Sequence, residues 1–214
     1  MFSTLEDAVR QLSERFNEEF SASLLRLLRP CFGFSPCAAS PAISGTRMGG
    51  TPDLPVEISW PIREIPDETE PAMNLGGSTH APHIRKHLAQ ALPYVFLAQI
   101  DLGEAASVSA SVLPDDGRLL FFCDLPLVPW RQGIESCRVI WDRSAPQALR
   151  RVEMPEILQR FADESVDEMR ALYRERGLVA GELSHCYAGP ERSMRVVLRY
   201  ALPNSYAAEA MQDE

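Results

Sequence analysis

Two periods of hydrophobic and polar positions run along this chain and divide it into helical flanks and a strand-rich middle. Leu5, Ala8, Val9, Leu12, Phe16, Phe20, Leu24, Leu27 and Leu28 recur at three- and four-residue steps, the spacing of one apolar stripe on a helix. Ser3 and Glu6 stand where a capping box would start it. Pro30 ends it, because proline disfavours helical geometry at Arg29 before it. Residues 1–29 are thus expected to form one N-terminal helix.

Tyr94–Leu102 has the two-residue period of a strand. Val95, Leu97, Gln99 and Asp101 fall on one side; Phe96, Ala98, Ile100 and Leu102 make a wholly apolar side, the expected core face. Leu119–Cys123 is a continuous apolar run, as in a strand covered on both faces, and Asp115-Asp116-Gly117 supplies the turn before it. Cys137–Trp141 and Met194–Leu202 alternate as two further strands. Pro155–Gly177 returns to the helical period, and Ser165 with Glu168 as a second capping box predicts two helices broken near Glu164.

The segments between are less regular. Residues 31–61 are punctuated by proline and glycine, and residues 62–92 form a long insertion in which Ile84–Leu92 can make a short helix closed by Pro93. Loops of that length in compact domains are usually functional or disordered. Together these elements predict a single α+β, β-rich domain over residues 1–214. Its body is a roll- or sandwich-like, mostly antiparallel sheet, with an N-terminal helix and a C-terminal helical segment at 155–177.

Charge and cysteines narrow the function classes. A formal net charge of -9 without a basic stripe argues against nucleic acid and anionic membrane as partners. No apolar run reaches membrane-spanning length, and the N-terminus carries acids where a signal peptide needs a basic region. The five cysteines are odd in number and lack CxxC spacing, which suits a reducing compartment. A cytoplasmic protein is expected.

Candidate chemistry gathers around Gly49-Gly50-Thr51-Pro52-Asp53-Leu54-Pro55. Paired glycines allow a turn that residues with a Cβ adopt only at a cost, and the prolines stiffen its exit. Two readings stand: a binding loop with Arg47 and Asp53 as polar tips, or a structural corner routing the chain across the core. Punctuators of this kind usually mark turns, which favours the corner. The lysine and Ser/Thr of a phosphate loop are missing. Trp60 is expected to bury its indole and to need an acceptor for its N–H. Gln99, an amide within a strand, should be bonded to backbone and is expected to hold the Gly49-Gly50 loop in place.

His80, His83 and His87 have a metal-like spacing, but no companion cysteine or carboxylate stands nearby and Arg85 and Lys86 lie between them. No metal or other cofactor is expected. Cys123 belongs to an apolar run, and His185 and Cys186 are neighbours that a strand would point to opposite faces, so no nucleophile–base pair is apparent. No catalytic residue is assigned.

Three blocks carry a family resemblance: Ser44–Pro61, Pro93–Glu104 and Leu113–Asp124. Arg47, Gly49, Gly50, Pro52, Leu54, Pro55, Trp60 and Pro61, then Phe96–Leu102, then Leu113, Pro114, Gly117, Leu119, Phe121 and Phe122 resemble, in order, the hallmark blocks of the YwqG-like family. The likeness covers about residues 25–142. It implies a β-rich body with flanking helices, a bacterial cytosolic setting and no established activity. Some relatives are thought to be encoded near toxin systems, which suggests an adaptor or immunity role. Two departures stand out: the insertion 62–92, and the absence after residue 142 of the family's second Gln-containing strand and Trp-Gly-Asp-x-Gly segment. That half is diverged, replaced by the helices at 155–177, or completed by another copy.

The reading that follows is a non-enzymatic protein-binding module, with Arg47, Gly49, Gly50, Asp53, Trp60 and Gln99 as its site and a protein partner or self-association as its mode. The alternatives are a metal-dependent hydrolase-like enzyme using the histidine insertion and a structural homo-oligomer subunit.

Overall fold

The computed structural model describes residues 1–40, 42–65, 81–109, 112–125, 136–179 and 189–203. Its strands are β1 Arg29–Pro36, β2 Arg47–Met48, β3 Asp53–Pro55, β4 Val95–Asp101, β5 Arg118–Cys123, β6 Cys137–Asp142, β7 Leu149–Arg151 and β8 Arg192–Ala201. Its helices are α1 Leu5–Arg15, α2 Glu18–Leu27, α3 Ala81–Leu88, α4 Leu102–Val108 and α5 Glu156–Glu175. Six strands form one sheet in the order β1-β8-β2-β4-β5-β6, each pair antiparallel, while β3 and β7 make a separate two-stranded ribbon. Leu54 of the ribbon packs with Tyr94, Phe96, Leu120 and Phe122 into one buried cluster, with Ile58, Trp60, Ile140 and Val152 at its margin. The α+β, β-rich, mostly antiparallel architecture agrees with the sequence pattern.

The helical flanks depart from it. The expected single N-terminal helix is two, because Asn17 caps a second start by accepting from Phe20 N at 2.9 Å. The first cap is Thr4, not Ser3: Thr4 Oγ1 accepts from Asp7 N and Asp7 Oδ2 accepts from Ser3 N, so the box closes on Asp7 rather than Glu6. Ser21 Oγ donates to Leu12 O at 3.1 Å and fastens α2 to α1. Only Ala8 and Leu12 of α1 are buried, and Leu5, Val9, Phe16, Phe20 and Leu27 of the stripe remain exposed.

At the other end α5 is one unbroken helix of 20 residues, so Ser165 is an interior residue and no break occurs near Glu164. Good helix formers on both sides of Ser165 outweigh the cap signal. The helix stops at Gly177, at φ +65, where the N–H groups of Gly177 and Leu178 return to Arg174 O and Tyr173 O.

Two strand findings matter for the site. β4 carries a bulge between Phe96 and Ala98, and the strict alternation read from the sequence fails there. Phe96 lies opposite Phe122 and Gln99 opposite Leu120, so the extra residue, Leu97, brings Phe96 and Gln99 to the same buried face. β8, the last strand among the described residues, enters between β1 and β2. Because β2 is only two residues long, much of β8 has no strand partner there. Its N–H groups are met instead by Thr46 O at Met194, Glu104 Oε1 at Val196 and Phe2 O at Tyr200.

β1 lies in a stretch read as irregular, and Pro30 and Pro36 are tolerated because it is the sheet's outermost strand. The run Leu119–Cys123 is likewise half-covered rather than buried on both faces: Leu120, Phe122 and Cys123 are buried, while Leu119 and Phe121 keep partial exposure. No helix among the described residues is long and apolar enough to cross a membrane.

Candidate functional site

Arg47, Asp53 and Gln99 meet at the junction of β2, β3 and β4, each with no accessible surface. Pairing register sets Arg47 directly opposite Gln99, so both side chains point to the core face. Arg47 Nη1 donates to Asp53 Oδ2 at 2.6 Å and its Nη2 to Thr51 O at 2.7 Å. Gln99 Nε2 donates to Gly45 O and Asp53 Oδ2, both at 3.1 Å, while its Oε1 accepts from Asp53 N at 3.2 Å. The amide therefore clamps both ends of the Gly45–Asp53 segment, the closest match to the expectation that Gln99 holds the glycine loop.

Arg47 and Asp53 are not polar tips. Asp53 is enclosed: Oδ2 also takes Ser44 N at 2.8 Å and Oδ1 takes Arg151 Nε from β7 at 3.0 Å. Burial pushes its carboxyl up, but the hydrogen bonds from Arg47 and Arg151, the Arg47 charge and the Ser44 N–H outweigh this and hold it down at about 2. Arg151 reaches on to Glu191 Oε1 at 2.6 Å, and Arg47 Nε lies 3.4 Å from the same oxygen. Two carboxylates are thus interleaved with two arginines. Arg151 and Glu191 are the members that meet solvent, and Glu191 lies on the wall of an open groove with Pro36–Ser40, Arg192 and Ser193.

Gly49 and Gly50 both sit at φ +69, the left-handed region that favours glycine. A Cβ on Gly49 would lie 2.7 Å from Pro190 O and 2.8 Å from Gly189 O, whereas one on Gly50 would meet the Glu191 side chain. Gly49 N donates to Leu97 O at the bulge and Gly50 N to Gly189 O. The loop is packed between two backbones.

Trp60 stands apart from this network. Its indole N–H donates to Tyr94 O at 2.7 Å, and its ring meets Phe122 edge-on at 5.9 Å. Of the histidines, His80 lies outside the described residues and His83 is in the first turn of α3. His87 Nε2 lies 2.6 Å from Asp124 Oδ1, and Arg63 Nε 2.6 Å from Asp124 Oδ2. Arg63 also donates to the carbonyls of His87 and Gln90 at the end of α3, so this cluster ties the helix to the end of β5. Among the described residues no three His, Cys, Asp or Glu are grouped to hold a metal. His185 and Cys186 lie outside the described residues.

The sheet also has an outer side. Ala98, Phe121 and Val139 lie abreast on it, as do Ile100, Leu119 and Trp141. On the outermost strand Val139 is 52% exposed and Trp141 48%. Trp141 is fixed in that position: its N–H donates to Asp116 O, and the Arg143 guanidinium, paired with Asp116, lies 5.4 Å from its ring.

The model of a domain of unknown function, DUF1963, matches residues 46–192. This chain belongs to that family. The DUF1963 match begins and ends on one strand pair, since Thr46 leads into β2 and Arg192 opens β8, opposite Met48. It includes the whole Arg47–Asp53–Gln99–Arg151–Glu191 network and extends well beyond the residues that carry the block resemblance. No match was found among curated proteins.

Sequence reasoning missed Arg151, Glu191, Arg63 and Asp124. Arg63, Arg151 and Glu191 lie in no motif, Asp124 only closes the third block, and the separation of 98 residues between Arg151 and Asp53 leaves no local signal. The apolar alternation of Cys137–Trp141 did mark Val139 and Trp141 as neighbours on one face of a strand.

Proposed function

We propose that this DUF1963 protein is a protein-binding module that takes its partner along the outer face and outer edge of β6. The observation that carries this reading is a valine and a tryptophan, both about half exposed, side by side on an outermost strand. Scattered single apolar residues need no explanation, but an apolar edge strand is a template for another chain. Among the described residues no strand pairs with that edge. The net charge of -9 supports a protein rather than a nucleic acid as the partner.

In this reading Arg47, Gly49, Gly50, Asp53 and Gln99 serve the site indirectly. They lock β2, β3 and β4 in register, and Trp60 braces the core behind the sheet. The likeness to YwqG-like proteins supports a cytosolic bacterial setting and an adaptor or immunity role for the module.

The test is affinity capture from the host lysate with wild-type and Val139→Lys baits, both shown to be folded by circular dichroism. The expected result is a protein retained by the wild type and lost by the variant. A partner held equally by both overturns the assignment to β6.

A further inference from the structure

We propose that Cys123 and Cys137 are a redox-active pair that closes to a cross-strand disulfide, latching the first residue of β6 to the last residue of β5. The latch does not depend on the protein-binding reading above; strand register alone brings the two cysteines together.

Cys123 ends β5, Cys137 opens β6, and the ladder sets them directly opposite each other. Opposed residues of an antiparallel pair point to the same face, so both thiols project from the outer side of the sheet. The next pair along, Asp124 and Ser136, is a hydrogen-bonded one, since Asp124 N donates to Ser136 O at 2.8 Å. Hydrogen-bonded and non-hydrogen-bonded pairs alternate along the ladder. Cys123 and Cys137 are therefore a non-hydrogen-bonded pair, the kind whose side chains approach most closely. Cα atoms in such pairs stand about 4.5 Å apart, inside the range of about 4.4–6.8 Å that a disulfide spans. Closure thus needs rotation of two side chains and little movement of backbone. Among the described residues no other two cysteines are opposed: Cys31 faces Arg199 across the β1–β8 pair, and Cys37 lies past the end of β1.

The two thiols differ in access. Both are reduced in the structure, with Cys137 exposed and Cys123 buried. A small oxidant can reach Cys137, whereas Cys123 is shielded from it. With a low-molecular-weight disulfide RS–SR of the glutathione kind as oxidant, the Cys137 thiolate attacks one sulfur and expels RS⁻. Cys123 then gives up its proton and attacks Cys137 Sγ in the mixed disulfide, expelling the second RS⁻. The protein loses two electrons and two protons, and RS–SR takes them up as two RSH. A reducing thiol pool runs the exchange backwards, so the bond answers to oxidation and is not a permanent staple. Once closed, it ties off the thirteen residues between the cysteines and restricts the unfolded chain.

The test is incubation of the full chain with oxidised glutathione, then alkylation of the remaining thiols, tryptic mapping and thermal unfolding. Cleavage after Arg131 separates the two cysteines, so their bond appears as a linked pair of peptides. The wild type is expected to form that link through two of its five thiols and to lose it in dithiothreitol. Its unfolding temperature should rise by several degrees relative to Cys137→Ser treated alike. Cys123→Ala should stop at a glutathione adduct on Cys137. A wild type in which Cys137 keeps the adduct and no 123–137 link appears overturns the inference. So does a link from either cysteine to Cys31, Cys37 or Cys186 in its place. A 123–137 link that leaves the unfolding temperature unchanged overturns the latch.

Discussion

Asp53 carries a full charge with no accessible surface, and its two arginines and the Ser44 N–H make that tolerable. Asp53→Asn would take from buried Arg47 its close counter-charge and leave only Glu191 at 3.4 Å, and urea denaturation should show a loss of about 3 kcal/mol. The carboxyl's pKa is about 2 in the fold against 3.8 for an unperturbed aspartate. Its contribution to stability is therefore present above pH ~4 and is lost as the pH falls towards ~2. The shift corresponds to about 2 kcal/mol over that window, and Asp53→Asn should flatten this part of the acid limb. The glycines separate by what they touch. Gly49→Ala meets two backbone carbonyls and should cost well over the ~1–2 kcal/mol of the left-handed conformation alone. Gly50→Ala meets a side chain that can move and should cost less in the same denaturation series. At this scale Gln99 was legible, because a polar amide in a strand must find partners. Arg151 and Glu191 were not, because only the fold brings Arg151 to Asp53 and Glu191 to the two arginines.

Elements were legible where one period ran undisturbed and illegible where a single residue broke it. Leu97 is enough to move Gln99 to the face of Phe96, and period counting has no signal for an inserted residue. β1 escaped notice because Pro30, Gly33 and Pro36 are poor strand formers that an edge tolerates. Cap signals were ambiguous for a related reason: Ser, Thr and Asn cap only where the backbone has already left the helix. The two serine sites give opposite predictions under the two readings. As an interior residue Ser165→Ala should raise stability slightly, by a few tenths of a kcal/mol, where loss of a true cap would cost about 1 kcal/mol. Thr4→Ala should cost about 1 kcal/mol while Ser3→Ala is close to neutral, both read from thermal unfolding.

At the scale of the whole molecule, the blocks that carry the family resemblance and the surface proposed to bind a partner separate. Arg47, Gly49, Gly50, Asp53 and Gln99 are bound up in holding strands together, and the DUF1963 match runs from one strand of the β2–β8 pair to the other. Among the described residues β8, legible in the sequence as the alternating run Met194–Leu202, fills the place between β1 and β2. The proposed binding edge lies at the far end of the sheet, at β6. Its edge position was not legible, because alternation identifies a strand's faces and says nothing about its neighbours. The most direct measurement is native mass spectrometry of the protein gently purified from its own host, wild type beside Val139→Lys. The account predicts a bound partner protein for the wild type and a bare monomer for the variant. A wild-type monomer carrying a stoichiometric metal or small molecule would contradict it and turn attention to the histidine insertion.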